Sequence, residues 1–201
     1  MQKEILWTGQ EYHSLERCYI RFRQTGMEVK STIIGFYQHE IYQANYHLLT
    51  GADWIAKKVA IEMHHRGRQD SYNLERMETG EWRSSDGAAP QFAGCIDVDI
   101  SLTPFTNTLP VKRLGLLPGA AATIRVLYFD LLNGELRPVN QRYTCLSADS
   151  YRYENVPKDF EAVVQIDPEG LVTDYPGLFS RTASGTYPDT NDSDSLSSAL
   201  A

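Results

Sequence analysis

The sequence is short of cysteine, of positive charge and of long apolar runs, and each shortage excludes something. Three cysteines, Cys18, Cys95 and Cys145, stand far apart, and no CxxC pair occurs. That spacing argues against a structural zinc site and points to reduced thiols. Lysine and arginine number 19 against 26 acidic residues, for a formal net charge of -7. A nucleic-acid partner would want a basic surface, so none is expected. No apolar run approaches the ~20 residues that a membrane-crossing helix needs. The opening MQKEILWTGQ carries an acid early and lacks the apolar stretch of a secretory signal. The expectation is a cytoplasmic protein. GxSxG, HExxH and P-loop motifs are all missing, so no cofactor and no metal are expected.

What is there reads as one globular domain. The chain has 201 residues, 42% of them hydrophobic, which is enough to bury a core without disulfides. The main signal is alternation with period two. Cys18, Ile20 and Phe22 alternate with Arg17, Tyr19, Arg21 and Arg23, and a strand from Met27 to Ile34 returns after Gly26. Further strands are expected over 41–49, 54–63, 71–77, 122–131, 137–147, 151–154, 162–166 and 171–175. Turn residues bound them, as at Thr79-Gly80 and Asn133-Gly134. Thr103 and Pro104 suit the start of a helix, and Pro110 limits it to one or two short turns. The expected fold is mostly β: a large antiparallel sheet curled into a half-barrel or open barrel, with one or two short helices. It occupies residues 1–180. Residues 181–201, rich in Ser, Thr and Asp, read as a disordered tail.

The richest stretch is Gly94 to Leu116, GCIDVDISLTPFTNTLPVKRLGL. On a strand, Ile96, Val98, Ile100 and Leu102 fall on one face, and Cys95, Asp97, Asp99 and Ser101 on the other. The two carboxylates would stand roughly 7 Å apart. They repel, so a neighbouring cation would help, and Lys112 and Arg113 are near in sequence. The following Thr103 to Pro110 combines two prolines with Thr and Asn, which bond local backbone. It forms either a stiff turn that shapes the fold or a rigid loop that contacts a ligand. Sugar hydroxyls suit Asp, Thr and Asn, whereas an acyl chain suits Phe105 and Leu109.

Other clusters carry less. His64 and His65 with Arg66 and Arg68 read as a solvated hairpin end or a contact for an anionic head. Glu11, His13 and Glu16 invite an acid–base role but read as surface residues. Cys95 reads as structural.

The run CIDVDISLTPFTNTLPVKRLGL closely resembles the hallmark segment of a family of bacterial proteins described as "putative glycolipid-binding". Trp7, Glu11, Glu16-Arg17, Gly80 to Trp82 and Gly170 to Leu178 extend the resemblance along most of the chain. It implies a β half-barrel around short helices, similar to the bacterial lipoprotein localisation factors, and a lipid or glycolipid partner. It assigns no residue roles. On chemistry, the candidate ligand-binding residues are Asp97, Asp99, Thr103, Phe105, Asn107, Leu109 and Arg113. The leading expectation is a binding protein with an apolar concavity and a polar mouth. One alternative is a hydrolase or transferase on a glycolipid or sugar, with Asp97 and Asp99 as acid–base pair. The other is a purely structural motif, with Asp97 and Arg113 as a buried ion pair.

Overall fold

A computed structural model of the chain describes residues 1–188. Within them, fifteen strands form one continuous open sheet. The first half of the chain supplies β1 (Gln2–Gly9), β2 (Ser14–Arg23), β3 (Gly26–Tyr37), β4 (Glu40–Thr50), β5 (Ala56–His65), β6 (Arg68–Arg76), β7 (Trp82–Ser84) and β8 (Gly87–Ala88). The second half supplies β9 (Asp97–Ile100), β10 (Ala121–Asp130), β11 (Glu135–Ser147), β12 (Ser150–Val156), β13 (Glu161–Ile166), β14 (Val172–Tyr175) and β15 (Phe179–Tyr187). The spatial order is β8-β7-β6-β5-β4-β3-β2-β1-β15-β14-β13-β12-β11-β10-β9. The first and last strands therefore meet at the centre, and the sheet grows outward from them along both halves of the chain.

The alternation seen in the sequence sets the inner face. In β2, Ser14, Glu16, Cys18 and Ile20 are buried, while Leu15 and Arg17 are exposed. Phe22 is only half-buried and meets the edge of Trp54. Hairpin turns are tight. Arg66 and Gly67, with φ of 54° and 69°, form the two-residue turn between β5 and β6. Both positive values match the turn that suits the twist of paired strands.

One expectation is corrected. The disordered tail was expected from residue 181, but residues 181–187 belong to β15, which pairs with β1 from Gln2↔Tyr187 to Gly9↔Phe179. Backbone pairing holds this strand, although most of its side chains face solvent. The rest of the expected tail, 189–201, lies outside the described residues. The sheet is antiparallel, as expected, except for one pair, β9 and β10, which run parallel. A parallel pair cannot be joined by a tight turn and needs a crossover.

That crossover is the Thr103–Leu116 segment, and this explains its unusual composition. It contains a 3₁₀ turn (Phe105–Asn107) leading directly into α1 (Thr108–Leu114). Pro110 lies in the first turn of α1, where a missing N–H costs little. Gly115 ends the helix with φ 53°, a left-handed value that suits glycine. The segment packs against the inner face of the sheet. Phe105 and Leu109 are fully buried in a cluster that includes Trp7, Ile33 and Leu48. Burying each such side chain contributes about 2 kcal/mol. Val111, further along α1, joins a second cluster with Tyr143, Tyr153 and Phe179. The short helix thus fills much of the curl and ties the two halves of the sheet together.

Candidate functional site

Beside the crossover, the second half of the sheet leaves a cavity of about 380 Å3. Its floor comes from the recognised stretch: Asp99 of β9, then Ser101, Thr103 and Asn107. Its walls come from Tyr128 of β10, Gln141 of β11, Tyr153 of β12, Phe160, Tyr175 of β14 and Phe179 of β15. Glu11 and Tyr12, in the turn between β1 and β2, complete it.

The aromatic rings form a continuous belt. Phe160 meets Tyr153, Tyr153 meets Tyr175, Tyr175 meets Phe179 and Phe179 meets Tyr12, with ring centroids 6.1–6.3 Å apart. Tilted and edge-on contacts at this spacing suit the ring quadrupoles. Burial, followed by the negative charge of Asp99, pushes the phenols of Tyr128, Tyr153 and Tyr175 upward. All three therefore stay protonated and can donate.

Asp99 accepts from Gln141 Nε2 at 2.6 Å and from Thr106 Oγ1 at 3.2 Å. Burial raises its pKa, and these two neutral donors pull against that rise. Asn107 accepts from Tyr143 Oη at 2.9 Å and donates to the Pro104 carbonyl. Its amide is thereby fixed in orientation at the cavity floor.

Asp97 has a different setting, although it shares the strand face of Asp99. It is fully buried and receives the Arg113 guanidinium on both oxygens, Nε at 3.0 Å and Nη2 at 2.5 Å. Burial raises its pKa and Arg113 lowers it. This pair ties the end of α1 to β9. Neither partner lines the cavity, so Asp97 and Asp99 do not face a common space. Phe105 and Leu109 lie in the core and are likewise absent from the wall. Of the seven candidates, Asp99, Thr103 and Asn107 line the cavity.

The reading of Glu16 as a surface residue is corrected. Glu16 is 1% exposed and faces inward from β2. Its Oε1 accepts three hydroxyl protons, from Ser31 at 2.7 Å and from Tyr46 and Thr103 at 2.9 Å each. Its Oε2 is buried without a partner. Burial raises its pKa from an ordinary 4.5 to about 7, against the pull of the three hydroxyls. Glu11 and His13 are exposed, as expected. The His64–Arg68 run is a hairpin end, but His65 points inward, with its ring edge-on to Tyr42.

Sequence reasoning missed the cavity walls. Tyr128, Gln141, Tyr153 and Tyr175 come from four strands, and the only signal for them is the abundance of tyrosine. Among the described residues, no group of three or more His, Cys, Asp or Glu is placed to hold a metal ion. No helix there is long and apolar enough to cross a membrane.

Comparison with known proteins agrees with this architecture. No curated protein matches the chain. A crystal structure of a DUF1089 family protein from Pseudomonas aeruginosa is 37% identical, covering 83% of this chain and 91% of that one, with a TM-score of 0.75. The model of the family described as "Putative glycolipid-binding" matches residues 4–181. The chain therefore belongs to that family.

Proposed function

We propose that the cavity binds the sugar head of a glycolipid and that the protein is a carrier or receptor for it rather than an enzyme. The observation that carries this reading is the composition of the cavity wall. Aromatic rings line it together with acceptors and donors: Asp99, Asn107, Gln141 and the tyrosine hydroxyls. Sugar rings present C–H faces that stack on aromatics and hydroxyls that need fixed polar partners. A volume of about 380 Å3 lies within the usual range for small-ligand sites. The family description points the same way.

The acyl chain has a different place from the one the sequence suggested. The crossover helix occupies the curl of the sheet, and Phe105 and Leu109 serve the core. Val156 and Phe160, on the cavity rim, are 40% and 37% exposed and offer the apolar contact instead. An acid–base pair of Asp97 and Asp99 has no such support, because Arg113 holds Asp97 away from the cavity.

The test is titration of the protein with glycolipids in mild detergent and with their free glycans, followed by NMR of labelled tyrosines. The expected result is saturable shifts at Tyr128, Tyr153 and Tyr175, weakened at least tenfold by Tyr153→Ala. Failure of every glycolipid and glycan to bind, in this assay and in native mass spectrometry, would remove the proposal.

A further inference from the structure

We infer that the head recognised by this cavity carries a positively charged ammonium group, seated on Asp99 within the aromatic belt. The inference rests on the cavity being the ligand site and adds the charge of what enters it.

The first argument is the charge of the wall. Three carboxylates line it, Glu11, Asp99 and Asp159, against one cation, Arg137. Arg137 is exposed at the mouth and has Glu135 3.6 Å away. An anionic head, such as a phosphate or a uronic acid, would meet like charge on entry.

The second argument is the contrast along β9. Asp97 and Asp99 stand on one face, two residues apart. Asp97 has its own guanidinium, whereas the hydrogen bonds to Asp99 come from an amide and a hydroxyl, both neutral. Each oxygen of Asp99 keeps acceptor capacity beyond those single bonds. A half-buried carboxylate served only by neutral donors is stabilised by a cation that arrives with the ligand.

The third argument is the rings. Tyr128, Tyr153 and Tyr175 line the same cavity as Asp99, and the rings of Tyr153 and Tyr175 meet at 6.1 Å. Aromatic faces attract cations, and attract them more strongly where water is excluded. Tyr128 already does so here, with the Arg137 guanidinium 5.2 Å from its ring centroid. A carboxylate surrounded by tyrosines is the chemistry that holds amines and quaternary ammonium groups. An amino sugar and a choline-type head both supply it.

Calorimetric titration at pH 6.5 with two matched pairs tests the inference. One pair is glucosamine against N-acetylglucosamine, and the other is choline against its uncharged isostere 3,3-dimethylbutan-1-ol. The expected result is that at least one ammonium compound binds tenfold or more tightly than its neutral match, with a preference that shrinks as salt is added. Whichever pair shows the larger preference identifies an amino sugar or a choline-type head as the source. Asp99→Asn, which keeps shape and is checked for folding by its melting temperature, should abolish the preference. Tyr128→Leu, which removes neither the Gln141 nor the Thr106 hydrogen bond to Asp99, should reduce it several-fold. Equal or tighter binding of the neutral partners overturns the inference and leaves glycan binding standing. A preference that survives Asp99→Asn also overturns it. If glycolipids and all four probes fail to bind, the cavity is not the ligand site and both readings fall.

Discussion

Thr103 donates its hydroxyl proton to Glu16 at 2.9 Å, joining positions 87 residues apart. The same oxygen accepts from the backbone N–H of Phe105 at 3.1 Å. One hydroxyl therefore starts the turn of the crossover and anchors it to the first half of the sheet. Thr103→Val keeps the shape and removes both bonds. The expected cost is about 2 kcal/mol, because a buried N–H and a buried carboxyl each lose a partner. Urea unfolding measures it, and a change within error would show that the link adds nothing to stability.

Glu16 makes stability depend on pH in an unusual direction. Its folded pKa of about 7 lies above the ordinary 4.5, so the folded protein holds this proton more tightly than the unfolded chain does. Its favourable contribution is complete below about pH 4.5 and is lost as pH rises through about 7. The displacement corresponds to about 3 kcal/mol. Glu16→Gln should flatten the fall of stability between pH 5 and pH 8. Parallel stability curves for the two proteins would refute this role.

The Asp97–Arg113 pair should behave as a structural clamp. Asp97→Asn leaves a largely buried guanidinium without its counter-charge and should cost about 3 kcal/mol. Replacing both partners with apolar residues of similar size should recover much of that loss. Glycan affinity per folded molecule should not change, since neither residue lines the cavity. A large affinity loss in a fully folded Asp97→Asn protein would instead place Asp97 in the ligand site.

The three thiols should be inert in the native state. Cys18, Cys95 and Cys145 are free and buried. Burial raises Cys18, helped by the charge of Glu16, and burial also raises Cys95. Both thiolate fractions, and with them the reactivity, are therefore reduced. A thiol-reactive dye should label none of the three quickly in buffer and all three in denaturant. Fast labelling of any cysteine in buffer would reveal an opening that exposes it.

The legible part of the fold was its local part. Alternation from Cys18 to Phe22 and the turn at Asn133-Gly134 depend on neighbours in sequence, and those strands and turns appear where expected. The same alternation, carried back two residues from Cys18, already turns Glu16 inward; its place in a polar cluster near the terminus pointed to the surface instead. The turn at Gln38 and His39 was hidden for another reason. Both residues take positive φ, 49° and 68°, without the glycine or asparagine that usually marks such a turn. In β15, Ser180 to Thr186 contains no large apolar residue. Its place is set by backbone pairing, which leaves no trace in composition. The cavity was illegible because its walls come from strands whose neighbours only the sheet order defines. The Asp97–Arg113 pair, by contrast, was among the alternatives, because its two residues lie on one short stretch.

The meeting of β1 and β15 at the centre of the sheet has a kinetic consequence. Most of the other neighbouring strands are joined by short turns and can find one another locally. The pairing of Gln2 with Tyr187 closes a loop of nearly the whole described chain. Closing so long a loop costs conformational entropy before any contact repays it, and such contacts slow folding. Two ribbons, one from each half of the chain, should therefore form first, and the seam between them last. Pulsed hydrogen exchange during refolding should find the amides of β1 and β15 protected after those of β3 and β4. The seam is where the molecule commits to being one sheet rather than two.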